Sequence, residues 1–117
     1  MNPIELKART KTFALRIIKL TRAIPQNDDA GRVIAKQIVR SGTSVAANYR
    51  ASCRARSRAE FVAKIGTVEE ESDETALWLE LLIESGIMPA KKLSALLEEA
   101  NALTAIMATS RKTASSK

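Results

Sequence analysis

Seven residues, Phe61, Ile65, Val68, Ser72, Thr75, Leu79 and Leu82, recur at alternating intervals of four and three. On a helix this spacing keeps returning to one face, so the stretch is one amphipathic helix whose seam other helices must cover. Its start is marked by Ser57 and Glu60, an S-x-x-E capping box set just before Phe61 and Val62. Its stop is Gly86, a residue suited to the left-handed turn that ends helices. The expected helix, near 58–85, is about 40 Å long at 1.5 Å per residue.

The other segments carry the same period. Asn2, Pro3 and Glu5 read as an N-cap, a first-turn proline and a capping acid, followed by a seam of Leu6, Thr10, Phe13, Ile17, Leu20 and Ile24. Pro25 stops that helix, and Asn27 or Asp28 can cap the next, whose seam is Ile34, Ile38, Ser41, Val45 and Asn48. Pro89 sits in the first turn of a fourth helix, lined by Leu93, Leu96, Leu97, Ala100, Leu103 and Met107. Four such helices joined by short loops predict an all-α fold, an up-and-down antiparallel four-helix bundle with helices near 3–23, 29–53, 58–85 and 89–108. The polar residues 109–117 read as a flexible tail. Gly42 and Gly66 fall inside long helices and point to a close approach of the second and third. Polar seam residues Ser41, Asn48, Ser72 and Thr75 read as hydrogen-bonded groups that fix register.

Composition narrows the chemistry. With 117 residues the chain is one domain, and aromatics make up only 3% of it, so aliphatic side chains must form the core. No apolar run approaches the length of a membrane span, and the charged N-terminus is not a secretory signal, so a cytoplasmic protein without membrane association is expected. There is no histidine and one cysteine, Cys53. Disulfides, the common metal sites and the usual neutral-pH general base are thereby removed, and no cofactor is expected. The acidic run Glu69 to Glu74 places carboxylates around a cylinder rather than in a cleft, and Cys53, four residues from Tyr49, reads as a buried or half-buried free thiol. The chain is read as non-enzymatic.

The net charge of +6 is unevenly spread. Residues 1–64 hold 14 bases and 4 acids, whereas 65–117 hold 5 and 9. Arg32, Lys36, Arg40, Arg50 and Arg54 lie along one outer face of the second helix, and Arg56 and Arg58 continue into the connector and the next helix. Arg58 stands at a helix start, where a cation opposes the dipole. These seven residues form a candidate stripe for nucleic-acid phosphates. The alternative is that they are solvated or paired with the acids of the third helix, surface pairs that are worth ~0 to 1 kcal/mol each. Leu77, Trp78 and Leu81 add a second apolar edge to that helix, an expected oligomer interface unless it is bundle core.

The run QIVRSGTSVAANYRASCRARSRAEFVAKIGTVEEESDETALWLELLIESG, from Gln37 to Gly86, resembles the core of the bacterial four helix bundle protein family. That family includes proteins encoded in intervening sequences of large-subunit ribosomal RNA genes and accessory proteins of diversity-generating retroelements. The better-known branch has an acid and glycines after the asparagine matched by Asn48, where this chain has Tyr49, Arg50, Ala51, Ser52 and Cys53. The resemblance implies a closed homo-oligomer, typically pentameric with a positive surface, and in retroelement members binding of RNA and a reverse transcriptase. Two functions are therefore expected from the whole: binding of structured RNA through arginine and lysine, or a homo-oligomeric scaffold or protein-interaction module without nucleic acid. So few aromatics leave no stacking platform for single-stranded bases, so backbone charge and shape would hold any nucleic acid.

Overall fold

The computed structural model describes residues 1–116 and contains four α-helices: α1 (Pro3–Thr21), α2 (Asp29–Ser52), α3 (Arg58–Glu84) and α4 (Ala90–Ser115). They run up and down as a rod 49 Å long and about 20 Å across. Neighbours in sequence pack along their lengths, α1 touches α4 only sparsely, and α1 and α3 stand diagonally without contact.

Local chemistry sets the starts and stops. Asn2 Oδ1 accepts from the Glu5 backbone N–H at 2.8 Å, Asp28 Oδ1 from Gly31 at 2.8 Å and Ser57 Oγ from Glu60 at 3.0 Å. Of the two candidates before α2, Asp28 is the cap. Glu60 turns back toward the cap, its carboxylate accepting from the backbone N–H of Arg56, one residue ahead of Ser57, at 3.2 Å. Gly86 takes a φ of +81°, the left-handed conformation that lets Met88 N–H reach back to the Leu82 carbonyl at 3.0 Å.

The seams form one core. Phe13, Ile17, Ile38, Val45, Ile65, Val68, Leu79, Leu82, Leu93, Leu103 and Met107 are fully buried. Each such side chain contributes about 1.5–3 kcal/mol relative to exposure. α3 sits at the centre of this arrangement, burying Ile65, Val68, Ser72, Thr75, Leu79 and Leu82 between α2 and α4. Thr75 and Ser41 share a buried 2.8 Å hydrogen bond between α3 and α2, which fixes their register. Ser72 bonds within its own helix, to the Val68 carbonyl at 2.9 Å. Asn48 is half-buried and also bonds only within its helix, to the Ser44 carbonyl and hydroxyl. The inward position at that turn belongs to Tyr49.

Three expectations are corrected. α4 does not end near residue 108 but runs to Ser115. Arg111 Nε donates to Glu69 Oε1 of α3 at 2.7 Å, and Ser110, Arg111 and Ala114 are half-buried, so these turns are packed helix rather than a free tail. Residue 117 lies outside the described residues. Gly42 does mark a close approach, but of α1 rather than α3: a Cβ there would lie 2.8 Å from Cγ1 and Cγ2 of Ile17. Gly66 marks none, since its Cβ would meet only Arg111 Cδ at 3.7 Å.

The two helical glycines should therefore respond oppositely to alanine. Gly42→Ala should lower the melting temperature through overpacking of about 1–3 kcal/mol against the fully buried Ile17. Gly66→Ala should raise it, by helix propensity worth up to about 1 kcal/mol. Thermal unfolding of the two variants side by side checks the pair. Thr75→Val keeps the shape but leaves the buried Ser41 hydroxyl only a long 3.4 Å bond to the Ile38 carbonyl. A loss of about 1–3 kcal/mol is expected in denaturant unfolding.

Candidate nucleic-acid interface

Some of the basic residues are drawn into ion pairs within the bundle. Arg40, midway along the α2 stripe, is used: its guanidinium pairs with Glu74 and reaches Glu71 at 3.4 Å, both on α3. Arg32 pairs with Asp29 one turn earlier and donates to the Gln26 carbonyl at 3.0 Å, closing the loop before α2. Lys36 is exposed between them. Arg32, Lys36, Arg40, Arg50 and Arg54 are each exposed, but Arg32 and Arg54 are about 33 Å apart at 1.5 Å per residue, at opposite ends of the rod. The seven candidates are thus not one cluster.

Arg50, Arg54, Arg56 and Arg58 do gather, where α2 ends and α3 begins, and all four are exposed. Arg54 and Arg56 join Lys64 around a shallow depression of about 450 Å³, with Glu60 and Ala51 completing its wall. Geometry explains the meeting. Arg54 and Arg56 follow the end of α2, the chain reverses at Ser57, and Glu60 and Lys64 stand one turn apart on the outgoing helix. Glu60 is the sole acid between Arg50 and Lys64 and is engaged in the cap through the Arg56 backbone N–H. Lys64 is absent from the residues picked out from sequence, although its four-residue spacing from Glu60 carries the signal. Arg58 occupies the first position of α3, as its place after Ser57 requires.

Acids elsewhere are drawn into the fold. Glu69 binds Arg111 of α4, while Glu71 and Glu74 bind Arg40 of α2, so the helix-to-helix pairing expected as the alternative accounts for Arg40. Glu74 also accepts from Trp78 Nε1 at 3.1 Å. Trp78 is consequently half-buried against the core, whereas Leu77 and Leu81 are 47% and 40% exposed on the outer face. Between α1 and α4, Arg9 binds both carboxylate oxygens of Glu99 at 2.7 Å. Cys53 proves exposed, because it caps α2 where the chain leaves the core. Its neighbour Tyr49 is the buried group, and burial, followed by the charge of Cys53 and a hydrogen bond to it, pushes the phenol up to about 12. Among the described residues no group of three or more Cys, Asp or Glu is placed to hold a metal ion, and no helix is long and apolar enough to cross a membrane.

Fold and surface together define a small basic four-helix bundle with a cluster of cations where α2 ends and α3 begins. The model of the 23S rRNA-intervening sequence protein family matches residues 4–109. The chain belongs to that family. A similar solved structure is that of a protein of unknown function from the S23 ribosomal protein family of Bacteroides thetaiotaomicron. The two share 32% identity and a TM-score of 0.87, over 96% of this chain and 99% of that one. No curated protein matches the chain.

The α1–α4 ion pair has a pH signature. The hydrogen bond from Arg9, against the effect of burial and with the charges of Arg9 and Arg16, lowers the pKa of Glu99 in the fold. A lowered folded-state value means stability that is present above the ordinary glutamate range and lost as pH falls through that lowered value. Glu99→Gln should therefore lower the melting temperature at neutral pH. The gap to the parent protein should close in acid, as pH-dependent thermal unfolding would show.

Proposed function

We propose that this chain is a non-enzymatic protein that binds the phosphate backbone of structured RNA at the basic end of its bundle. A homo-oligomer, pentameric as the family resemblance implies, repeats that end around an axis. The observation that carries the reading is the depression of about 450 Å³ walled by Arg54, Arg56 and Lys64, whose one acid, Glu60, is engaged in the helix cap. Arg50 is exposed one turn away on α2. The first residues of α1 and the last of α4 meet the same end, adding Lys7 and Lys112.

These groups suit phosphate rather than bases. Arginine matches phosphate oxygens with a planar fork of donors, and lysine adds a mobile point charge. No aromatic ring lines the depression, so bases have nothing there to stack on. Recognition accordingly depends on the shape and charge of a folded RNA.

Phosphate binding releases counterions, so the logarithm of affinity for an RNA hairpin should fall linearly with the logarithm of salt, by about 0.7–0.9 per phosphate contacted. Replacing Arg54, Arg56 and Lys64 together with glutamine should weaken binding and flatten that slope by two to three contacts. The melting temperature should hold, because among the described residues no ion pair uses these side chains. Unchanged affinity and slope in fluorescence anisotropy would remove this end as the RNA site. A scaffold role, marked by the exposed Leu77 and Leu81, would then stand in its place.

A further inference from the structure

Three of the four helix pairs that surround the core are closed seams, and the fourth, α1 against α4, is not. Between the last turns of α1 and the first turns of α4 it opens into a groove of about 340 Å³. Leu20, Met88 and Leu96 form its floor, and Arg16, Lys19 and Lys92 its rim. No acid lines it. Glu99, close enough for Arg16 to act on its carboxylate, is committed to Arg9.

The opposite character appears on α3. Leu77 and Leu81 project from its outer face, flanked by Asp73, Glu80 and Glu84, all three exposed and in no ion pair among the described residues. An apolar ridge bordered by carboxylates fits an apolar groove bordered by cations, in both burial and charge.

We propose that the Leu77–Leu81 ridge of one copy docks into the α1–α4 groove of a second copy, with Glu80 and Glu84 facing Lys19 and Lys92. This rests on the homo-oligomeric reading above and names the surfaces that make it. Height along the rod supports the same pairing. α1 ends at Thr21, α3 ends at Glu84 and α4 begins at Ala90, so ridge and groove lie at one end, both within about 10 Å of it at 1.5 Å per residue. They are also on different faces, since α3 is diagonal to α1. With neighbouring rods parallel, a contact between two different patches at equal height repeats by rotation without climbing, and it closes a ring where that rotation divides a full turn. The rods then stand side by side, and the basic ends of all copies point the same way.

Charge reversal on each side tests this. Glu80→Lys with Glu84→Lys, and separately Lys19→Glu with Lys92→Glu, should each shift the mass measured by light scattering at micromolar concentration from oligomer to monomer. Circular dichroism should show both still folded, since all four side chains are exposed. The variant carrying all four changes restores complementarity and should recover the oligomer. An oligomer that persists in both double variants overturns this interface while leaving oligomerisation intact. Loss in both without recovery in the combination overturns the pairing of these two surfaces. A parent protein that is itself monomeric at these concentrations overturns both the interface and the homo-oligomeric reading.

Discussion

The bundle depends on the two-sided burial of α3. Ile65, Val68, Leu79 and Leu82 are fully covered because α2 lies along one flank and α4 along the other. Neither flanking helix could bury its own stripe without that partner, and isolated helices of this length are marginal in water. The aliphatic side chains that fill the space carry no directional preference strong enough to fix the helices lengthwise. Register comes instead from the Thr75–Ser41 hydrogen bond and from the contact of Gly42 with Ile17. A buried hydroxyl pair loses its partner if the helices slide, and the missing Cβ admits the Ile17 side chain at one height only.

With register set, charge follows. Glu71 and Glu74 arrive beside Arg40, and Glu69 beside Arg111, so part of the acidic run on α3 is spent inside the molecule. At the start of α3 the chain reverses between two helix ends and brings Arg54, Arg56 and Lys64 together, with Glu60 turned back to the cap. One rod thus has a paired middle and a cationic depression at the end where α3 begins. The charge that composition reports only as a sum becomes a surface able to face phosphate.

Exposed apolar groups fall at the other end of α3 and obey a different logic. Trp78 lies half-buried against the core and donates its indole N–H to Glu74, one turn back on the same helix, the carboxylate that also holds Arg40. Leu77 and Leu81 have no such partner and remain outside. The open α1–α4 seam lies at their level. In the docking proposed above, burying one against the other would remove apolar area from water on both sides, and the flanking charges would set the direction in which copies add.

Local rules were legible in the residues themselves. The three-and-four spacing of Leu6 to Ile24 and Phe61 to Leu82, the caps at Asn2, Asp28 and Ser57 and the turn at Gly86 each act within a few residues, so order along the chain determined the four helices and their buried faces. Properties that need two distant segments were not legible in this way. That Gly42 meets Ile17, that Arg111 of α4 meets Glu69 of α3, that Lys64 joins Arg54 and Arg56, and that α1 leaves a groove beside α4 were decided by the tertiary structure alone. A helical period fixes which face of each helix is apolar but not how far neighbouring helices slide or which polar groups then meet. Those offsets are chosen by packing volume and by the hydrogen bonds and ion pairs that only the assembled bundle can form.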